Sequence, residues 1–327
     1  MKILHMRSPS TAGAAFLTAM AWFGPSFAQS VATTEMFDAV AECPGGGNLI
    51  SAMQCRRLEQ QQTAVWVTVR ARGYCLRYYA SGLGERNPVV AAWLHGDIGG
   101  SRSGPSGHQK GLGVAAMIDQ ERQLSEKYRT PFIFIARPGA YGSAGYHHDL
   151  ASTRLEAELV AAQLDRLTER YGIKTWVLGG HSGGGTLVAA MLAQRADIAC
   201  AVISSGAPAY DAYLRAHSMS RYVSPANLNS IDDVRQMPKV AGQRIIVMGD
   251  PRDKNVFWSL QQLYFDALKR QGTDVTLLPL ERGRPPEFHS LVGLAETATG
   301  LCAQKVPIAE IQKQLTAMPS QQPRESN

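Results

Sequence analysis

The chain has 327 residues, of which 45% are hydrophobic, 18% are charged and 8% are aromatic, and its formal net charge is +6. This composition is typical of a globular protein with one large core. The basic residues are scattered and form no long lysine or arginine run, so the sequence excludes the usual basic patch of a nucleic-acid-binding protein.

The N-terminal segment predicts a signal peptide over residues 1–28. Lys2 and Arg7 make its start positive, an uncharged apolar stretch covers 11–23, and Ser26–Ala28 has the small-x-small pattern of a cleavage site. The apolar stretch is too short to span a bilayer, so we expect a periplasmic or secreted protein with no stable membrane insertion after signal removal. An uncleaved membrane anchor is the alternative.

All five cysteines follow the predicted signal, and export makes disulfide bonds plausible. Cys43 and Cys55 flank a glycine-rich segment and are one possible pair, but the sequence leaves the pairing open. An odd number leaves at least one thiol outside the intrachain bonds. No C-x-x-C motif occurs, which argues against a structural zinc site. The cysteines are Cys43, Cys55, Cys75, Cys200 and Cys302.

The next segment predicts an irregular extension followed by a β-hairpin. Residues 29–62 are polar, and Pro44–Gly47 interrupts any regular element. In Ala64–Arg70 valines alternate with polar residues, and Gly73–Tyr79 follows after a short turn. This pattern favours two antiparallel strands.

Beyond the hairpin, short apolar strands alternate with helices, which predicts an α/β domain over 63–318. We expect a mostly parallel sheet with helices on both faces, a small cap at most within 209–242, and a polar tail over 319–327. The predicted strands are Val89–Leu94, Phe132–Ala136, Thr175–Leu178, Ala199–Ser204, Arg244–Met248 and Val275–Leu280. The predicted helices are Gly111–Tyr128, Thr153–Tyr171, Thr186–Gln194, Phe257–Arg270 and a final helix from about Ser290.

A glycine-rich turn between a predicted strand and a predicted helix contains a G-x-S-x-G motif around Ser182. In such a nucleophile elbow, the sharp turn leaves room only for very small residues two positions before and after the serine, here Gly180 and Gly184. The motif predicts that Ser182 is an exposed nucleophile. A glycine-rich turn with an incidental serine is the alternative.

A serine nucleophile needs a base and an acid that orients it, and in this architecture the acid and then the histidine follow the serine. His289 is the one histidine after the last predicted strand, so it is the predicted base. Asp250 and Asp253 both follow the penultimate strand. We prefer Asp253, because Asp250 precedes a proline and is suited to shaping the turn.

The reaction also needs backbone N–H donors for an oxyanion. We expect one from Gly183, the residue after the nucleophile, and one from the glycine-rich loop after the first parallel strand, where the Asp97 N–H is preferred and Ile98 comes next. Tyr141 and Ser143 follow a strand whose carboxyl end borders the predicted site. They are candidate substrate contacts or simple turn residues.

Two further groups carry weaker signals. His147, His148 and Asp149 are metal-ligating residue types, but neighbouring side chains point in different directions, so we expect no metal site there. Three tyrosines of the cap region either line an acyl pocket or pack within the cap. They are Tyr210, Tyr213 and Tyr222.

The elbow, the His95–Gly96 loop and the order of Ser182, Asp253 and His289 together resemble the α/β-hydrolase superfamily over roughly Ala64–Ala298. The resemblance implies the α/β-hydrolase fold and a serine hydrolase. It adds no cofactor, since this chemistry requires neither a metal nor an organic group.

The second half is similar to the catalytic domains of prolyl-oligopeptidase-like serine peptidases and of dienelactone-hydrolase-like enzymes. Gly183 stands where such peptidases usually carry an aromatic residue, and Phe288-His289-Ser290 replaces their usual Gly-His-Gly. The similarity is carried by Ser224–Asn227, Met237–Pro238, Arg244–Val256 and Tyr264–Lys269.

These features predict an exported serine hydrolase that cleaves a carboxylic ester through an acyl-enzyme. A serine peptidase or aminoacyl amidase is the first alternative, and a non-catalytic binding protein on the same fold is the second. The expected partner is a small-molecule ester or a short peptide. The sequence leaves the oligomeric state open.

Overall fold

A computed structural model of the chain describes residues 50–98 and 112–319. The strands within these ranges are β1 Ala64–Val69, β2 Arg72–Ser81, β3 Val90–Leu94, β4 Phe132–Ile135, β5 Trp176–His181, β6 Ile198–Ser204, β7 Arg244–Gly249 and β8 Val275–Pro279. They form one sheet in the order β1-β2-β4-β3-β5-β6-β7-β8. β1 and β2 form an antiparallel hairpin, β2 pairs antiparallel with β4, and all later pairs are parallel. The predicted sheet is confirmed.

The α-helices described are α1 Ala52–Gln60, α2 Val114–Tyr128, α3 His147–Leu150, α4 Arg154–Tyr171, α5 Gly183–Gln194, α6 Tyr210–Ala216, α7 Ser230–Asp233, α8 Trp258–Arg270, α9 Val292–Ala303 and α10 Ile308–Ala317. The two short helices α6 and α7 and two single 3-10 turns make up the region where a small cap was expected. None of the helices in 50–98 and 112–319 has the length and apolar character needed to cross a bilayer.

Two predicted segments differ from the structure. The expected irregular extension contains α1, which begins with a capping box in which Ser51 and Gln54 satisfy each other's backbone N–H groups. The single helix expected at the end is two, because Pro307 stands between α9 and α10 and has no N–H to continue the first.

The core lies on both faces of the sheet because alternate strand residues point to opposite sides. In β3, Ala92 and Leu94 belong to the apolar cluster that α4, α5 and α8 cover. Ala91 and Trp93 belong to the cluster beneath α2, α9 and α10. Burial on both sides explains why the parallel strands are apolar throughout.

Two disulfides tie helices to the sheet. Cys55 of α1 bonds Cys75 of β2, and Cys200 of β6 bonds Cys302 of α9. The suggested Cys43–Cys55 pair is therefore wrong, because Cys55 is already bonded to Cys75 on the neighbouring strand. Cys43 lies outside the described residues.

The predicted signal over 1–28, the extension up to residue 49 and the tail from residue 320 also lie outside the described residues. The signal peptide with its cleavage, the irregular extension over 29–49 and the terminal tail stay predictions.

Candidate active site

Ser182 occupies the turn between β5, which ends at His181, and α5, which begins at Gly183. Its backbone has φ 55° and ψ −124°, a conformation that non-glycine residues rarely adopt. The Ser182 N–H donates to the carbonyl of Ser204 at the end of β6, 2.8 Å away. The strained turn is thereby fixed to the neighbouring strand, as expected of a nucleophile elbow.

The glycines on either side of the turn meet a steric requirement. A Cβ on Gly180 would lie 2.5 Å from the backbone of Gly184, and a Cβ on Gly184 would lie 2.1 Å from the carbonyl oxygen of Leu94. Both distances are shorter than carbon contacts allow. The expectation that only glycine fits at these two positions is confirmed.

Ser182, His289 and Asp253 form one line of hydrogen bonds. The His289 Nε2 lies 2.9 Å from the Ser182 Oγ, and its Nδ1 lies 2.8 Å from the Asp253 Oδ2. A carboxylate accepts at Nδ1, so that nitrogen carries the proton and Nε2 is left to accept the serine proton. This is the geometry in which a histidine can act as general base toward a serine.

The two candidate acids are held in different ways. The Asp253 Oδ1 accepts the N–H groups of Asn255 and Val256 at 2.8 and 2.9 Å, which aims Oδ2 at the histidine. Asp250 instead accepts the Arg252 side chain at 2.9 and 2.8 Å together with backbone N–H groups. Asp250 therefore shapes the turn, and Asp253 is the carboxylate that contacts His289.

The loop that carries the histidine is held from two sides. The Ser205 hydroxyl donates to the His289 carbonyl at 3.0 Å. The Arg252 guanidinium, which Asp250 orients, lies 4.5 Å from the centre of the Phe288 ring. This cation–π contact joins the acid loop to the histidine loop.

His181 lies beside the base and stays uncharged. Its side chain is buried, its ring centre is 4.9 Å from that of His289, and its Nδ1 lies 3.3 Å from the Ser204 Oγ. Burial, together with the nearby His289, lowers the pKa of His181 to about 3. His181 therefore adds no positive charge next to His289.

Two backbone N–H groups near Ser182, those of Gly183 and Asp97, have no acceptor among the described residues. Gly183 is the first residue of α5, so its N–H has no acceptor within the helix. The Asp97 N–H donates to no acceptor in the part of the chain that the structure describes. The neighbouring Ile98 N–H is turned toward the His147 Nε2, 3.4 Å away. Of the two loop residues considered, Asp97 is thus the one with an available donor.

A buried arginine holds the loop after β3 through its contacts with His95 and Asp97. The fully buried Arg137 contacts Glu156 through Nε at 2.8 Å and Nη2 at 3.1 Å, and its Nη1 donates to the His95 carbonyl at 3.1 Å. Its Nη2 also lies 2.8 Å from the Asp97 Oδ1. Partial loss of hydration alone would raise the pKa of the half-exposed Asp97 carboxyl, but the charge of Arg137 and the contact with His147 hold it well below its usual value.

The sequence reasoning did not single out Arg137 or Glu156. The available signal was a charged residue directly after the apolar strand β4, at the carboxyl end of a parallel sheet where ligands bind. Glu156 carries no comparable signal, because it falls in the first turn of α4, where an acidic residue is ordinary.

The two candidate substrate contacts, Tyr141 and Ser143, have different surroundings. Ser143 is fully buried, and its hydroxyl donates to the Ala136 carbonyl and accepts the Arg77 N–H, both at 2.8 Å. A substrate contact by Ser143 is therefore wrong, because the hydroxyl is enclosed and serves the turn. The centre of the Tyr141 ring lies 4.7 Å from that of His95, in the loop that follows β3. Contact of Tyr141 with a substrate stays a prediction.

The cap region supplies two stacked tyrosines. The rings of Tyr210 and Tyr213 are stacked at 5.5 Å, and the Tyr213 hydroxyl donates to the Asn255 Oδ1 at 3.1 Å. This bond joins α6 to the loop that carries Asp253. Tyr222 is largely exposed, with the Arg221 guanidinium 4.8 Å from its ring centre, and it takes no part in this stack.

The adjacent His147 and His148 lie in different surroundings. His147 is buried with its Nδ1 3.1 Å from the Pro138 carbonyl, whereas His148 is exposed. In residues 50–98 and 112–319 no group of three or more histidine, cysteine or acidic side chains is placed to hold a metal ion.

Several solved structures resemble this chain. Est1E from Butyrivibrio proteoclasticus, solved with ferulic acid bound, is 14% identical with a TM-score of 0.52, covering 74% of this chain and 98% of that one. An esterase of Pyrococcus furiosus is 14% identical with a TM-score of 0.51, covering 84% and 99%. The acylaminoacyl peptidase of Pyrococcus horikoshii is 12% identical with a TM-score of 0.51, covering 80% of this chain and 43% of that one.

No protein-family model and no curated protein matches this sequence. At such low identities, the structural likeness shows the fold alone. Taken with the order of the eight strands and the turn at Ser182, it shows that the chain has the α/β-hydrolase fold.

Proposed function

We propose that this protein is an exported serine hydrolase that cleaves carboxylic esters through an acyl-enzyme on Ser182. The observation that carries the proposal is the unbroken hydrogen-bonded line from Asp253 through His289 to Ser182, with the serine at the tip of a strained elbow. Strained backbone conformations persist only where the surrounding structure fixes them, and they occur mainly at functional sites.

In the first half of the reaction, the His289 Nε2 takes the Ser182 proton as the Oγ attacks the carbonyl carbon of the ester. The electron pair of the carbonyl bond moves to its oxygen, which the N–H groups of Gly183 and Asp97 stabilise. Asp253 keeps the imidazole in the reactive tautomer and stabilises its positive charge.

The tetrahedral intermediate then collapses and breaks the bond to the alcohol oxygen, which receives the proton from His289. The acyl group remains on Ser182. Water attacks this ester in the same way, with His289 again as general base, and releases the acid and the free serine.

Three observations support an exported esterase over the alternatives. Est1E and the Pyrococcus furiosus esterase are each covered over nearly their full length, whereas the peptidase is covered over less than half. The two disulfides fit an oxidising compartment, as does the signal pattern over residues 1–28. A non-catalytic binding protein would not need an intact line of acid, base and nucleophile.

The test is turnover of a paired substrate panel by the wild type and by Ser182→Ala. p-Nitrophenyl acetate and butyrate represent esters, and alanine and proline p-nitroanilides represent amides. We expect ester turnover that falls by several orders of magnitude in the variant, with little anilide turnover. Comparable serine-dependent turnover of the anilides would instead favour the peptidase. Equal rates in the two proteins would contradict the role of Ser182.

Retention of the fold in Ser182→Ala is checked by its thermal unfolding midpoint. A wild type that hydrolyses neither class and does not react with a fluorophosphonate would support the binding protein, since an unactivated serine is a poor nucleophile.

A further inference from the structure

We propose that the Asp97 side chain selects substrates that carry a positive charge beside the scissile carbonyl, in the first instance α-amino acid esters with a free ammonium group. The inference rests on the proposed ester hydrolysis at Ser182 and names the acyl group that the site prefers.

The Asp97 carboxylate lies against Gly183, one of the two residues proposed to bind the oxyanion. A Cβ on Gly183 would be 2.1 Å from the Asp97 Oδ1, so the carboxylate lies directly against the residue whose N–H is a proposed donor. The Asp97 side chain is 49% exposed, whereas the side chains of Arg137 and Glu156 are 0% exposed. Asp97 is therefore the member of this charged group that can contact a substrate.

The charges of the group do not balance. The single guanidinium of Arg137 serves both Glu156 and Asp97, so these three groups carry one surplus negative charge. His147 also lies 3.7 Å from the Asp97 Oδ1, but its Nε2 faces the Ile98 N–H as an acceptor and its Nδ1 faces the Pro138 carbonyl. His95 does not supply the missing charge, since burial and the neighbouring Arg137 hold its pKa well below the ordinary value. In the parts of the chain that the structure describes, Arg137 is the only arginine or lysine paired with Asp97.

A surplus negative charge at this place opposes the reaction, because the transition state places a new negative charge on the carbonyl oxygen nearby. With a neutral ester, the carboxylate raises the barrier. An ammonium group on the α-carbon of the acyl part lies within a few ångströms of the carbonyl oxygen, and it binds the carboxylate while offsetting its charge. The site thus favours the cationic substrate in the transition state.

The cap places aromatic surface in the same region. The Tyr213 hydroxyl donates to Asn255 in the loop that carries Asp253. Burial, together with the charges of Tyr210, Asp97 and Asp253, raises the pKa of Tyr213 to about 12. Tyr210 stacks on Tyr213, and burial with the charge of Asp97 also raises the pKa of its hydroxyl. Aromatic faces beside a carboxylate are a favourable setting for an ammonium group.

The test compares two isosteric esters, alanine benzyl ester and benzyl isobutyrate, in which an ammonium group replaces a methyl group. We expect the wild type to show a kcat/KM for the alanine ester about tenfold or more above that for the isobutyrate, the factor typical of one charge-assisted hydrogen bond. Asp97→Asn keeps the backbone N–H and removes the charge. It should abolish this preference, so that kcat/KM for the alanine ester falls to about the value for the isobutyrate or below it.

Glu158→Gln is the matched control, because Glu158 is an exposed carboxylate on the same helix as Glu156 and pairs with Arg70. It makes the same change in net charge and should leave the substrate preference intact. If the Asp97→Asn protein does not fold, Asp97→Ser takes its place. The preference of the wild type for the alanine ester over the isobutyrate tests the proposal without any variant.

Equal losses on both esters in the Asp97 variants would show that the side chain only supports the loop, and would overturn the proposal. So would a wild type that prefers the isobutyrate, or shows no preference, while it hydrolyses neutral p-nitrophenyl esters through Ser182. The absence of any Ser182-dependent ester turnover would instead overturn the proposed function.

Discussion

Asp250 and Asp253 stand three positions apart in one loop, yet only one of them contacts the base. The Asp253 carboxylate is aimed by two backbone N–H groups at the His289 Nδ1, and Asp250 is occupied by Arg252. The preference for Asp253 came from the proline after Asp250, and that local cue indicated the carboxylate that contacts His289.

Asp253→Asn should lower kcat by roughly a thousandfold or more, because an amide no longer holds the His289 proton at Nδ1. Asp250→Asn should change kcat far less and should lower the free energy of unfolding by about 1–3 kcal/mol, since it weakens a buried, fully hydrogen-bonded carboxylate. Steady-state kinetics with p-nitrophenyl butyrate and urea unfolding measure the two effects. A larger loss of kcat in the Asp250 variant would make Asp250 the acid.

The sequence could predict the residues of the site that belong to a local motif, and it missed those that act through long-range packing. Ser182 is marked by its glycines and His289 by its position after the last strand. Arg137 and Glu156 are 19 positions apart, and only the folded chain brings them together. Ser143 was misassigned for the same reason, since its burial depends on the distant hairpin that provides the Arg77 N–H.

At the scale of elements, the contact between α2 and α9 contains a buried acid. Glu121 of α2 is fully buried, and neither of its carboxyl oxygens has a hydrogen-bond partner in the described part of the chain. Burial, and then the charge of Glu296 on α9, raises the pKa of Glu121 well above its ordinary value. The folded protein therefore keeps this carboxyl protonated at pH values where the unfolded chain has lost the proton.

Because the folded state holds this proton more tightly than the unfolded chain, the free energy of unfolding declines as the pH rises from the ordinary glutamate pKa toward the raised pKa of the folded protein. Glu121→Gln removes the titrating group. At about pH 8 the free energy of unfolding of the variant should exceed that of the wild type by about 1 kcal/mol or more, and this difference should shrink toward about pH 4.5. Glu126→Gln, an exposed site on the same helix, is the control and should change little at either pH. A Glu121 variant that is less stable at about pH 8 would contradict the raised pKa.

The elements themselves follow closely from local pattern. Apolar strands buried on both faces and long amphipathic helices have strong periodicity, so the sheet and α4 were predicted to within a few residues. α1 was missed because Cys55 is its one buried residue, which leaves almost no apolar stripe to detect.

At the scale of the whole molecule, the two disulfides close loops of different length. Cys200 and Cys302 are separated by 102 residues, and Cys55 and Cys75 by 20 residues. The longer loop begins on β6, next to the elbow strand, and ends on α9. It encloses the segments that carry Asp253 and His289, so this bond ties the second half of the site to the sheet.

Replacement of Cys200 and Cys302 together by alanine should lower the free energy of unfolding by about 2–5 kcal/mol. The matched Cys55→Ala, Cys75→Ala protein should lose less, because a shorter loop constrains the unfolded chain less. Urea unfolding of the oxidised wild type and both double variants gives the comparison. A larger loss from the Cys55–Cys75 replacement would contradict the loop-length account.

Trapping the acyl-enzyme shows whether Ser182 is the nucleophile. The protein is mixed with p-nitrophenyl butyrate, quenched in acid within the first turnover, digested, and mapped by mass spectrometry. We predict a butyryl group on the peptide that contains Ser182 in the wild type and little or none in His289→Ala, in which the base is lost. A butyryl group on another residue, or equal labelling of Ser182 in the two proteins, would contradict nucleophilic catalysis by a histidine-activated Ser182.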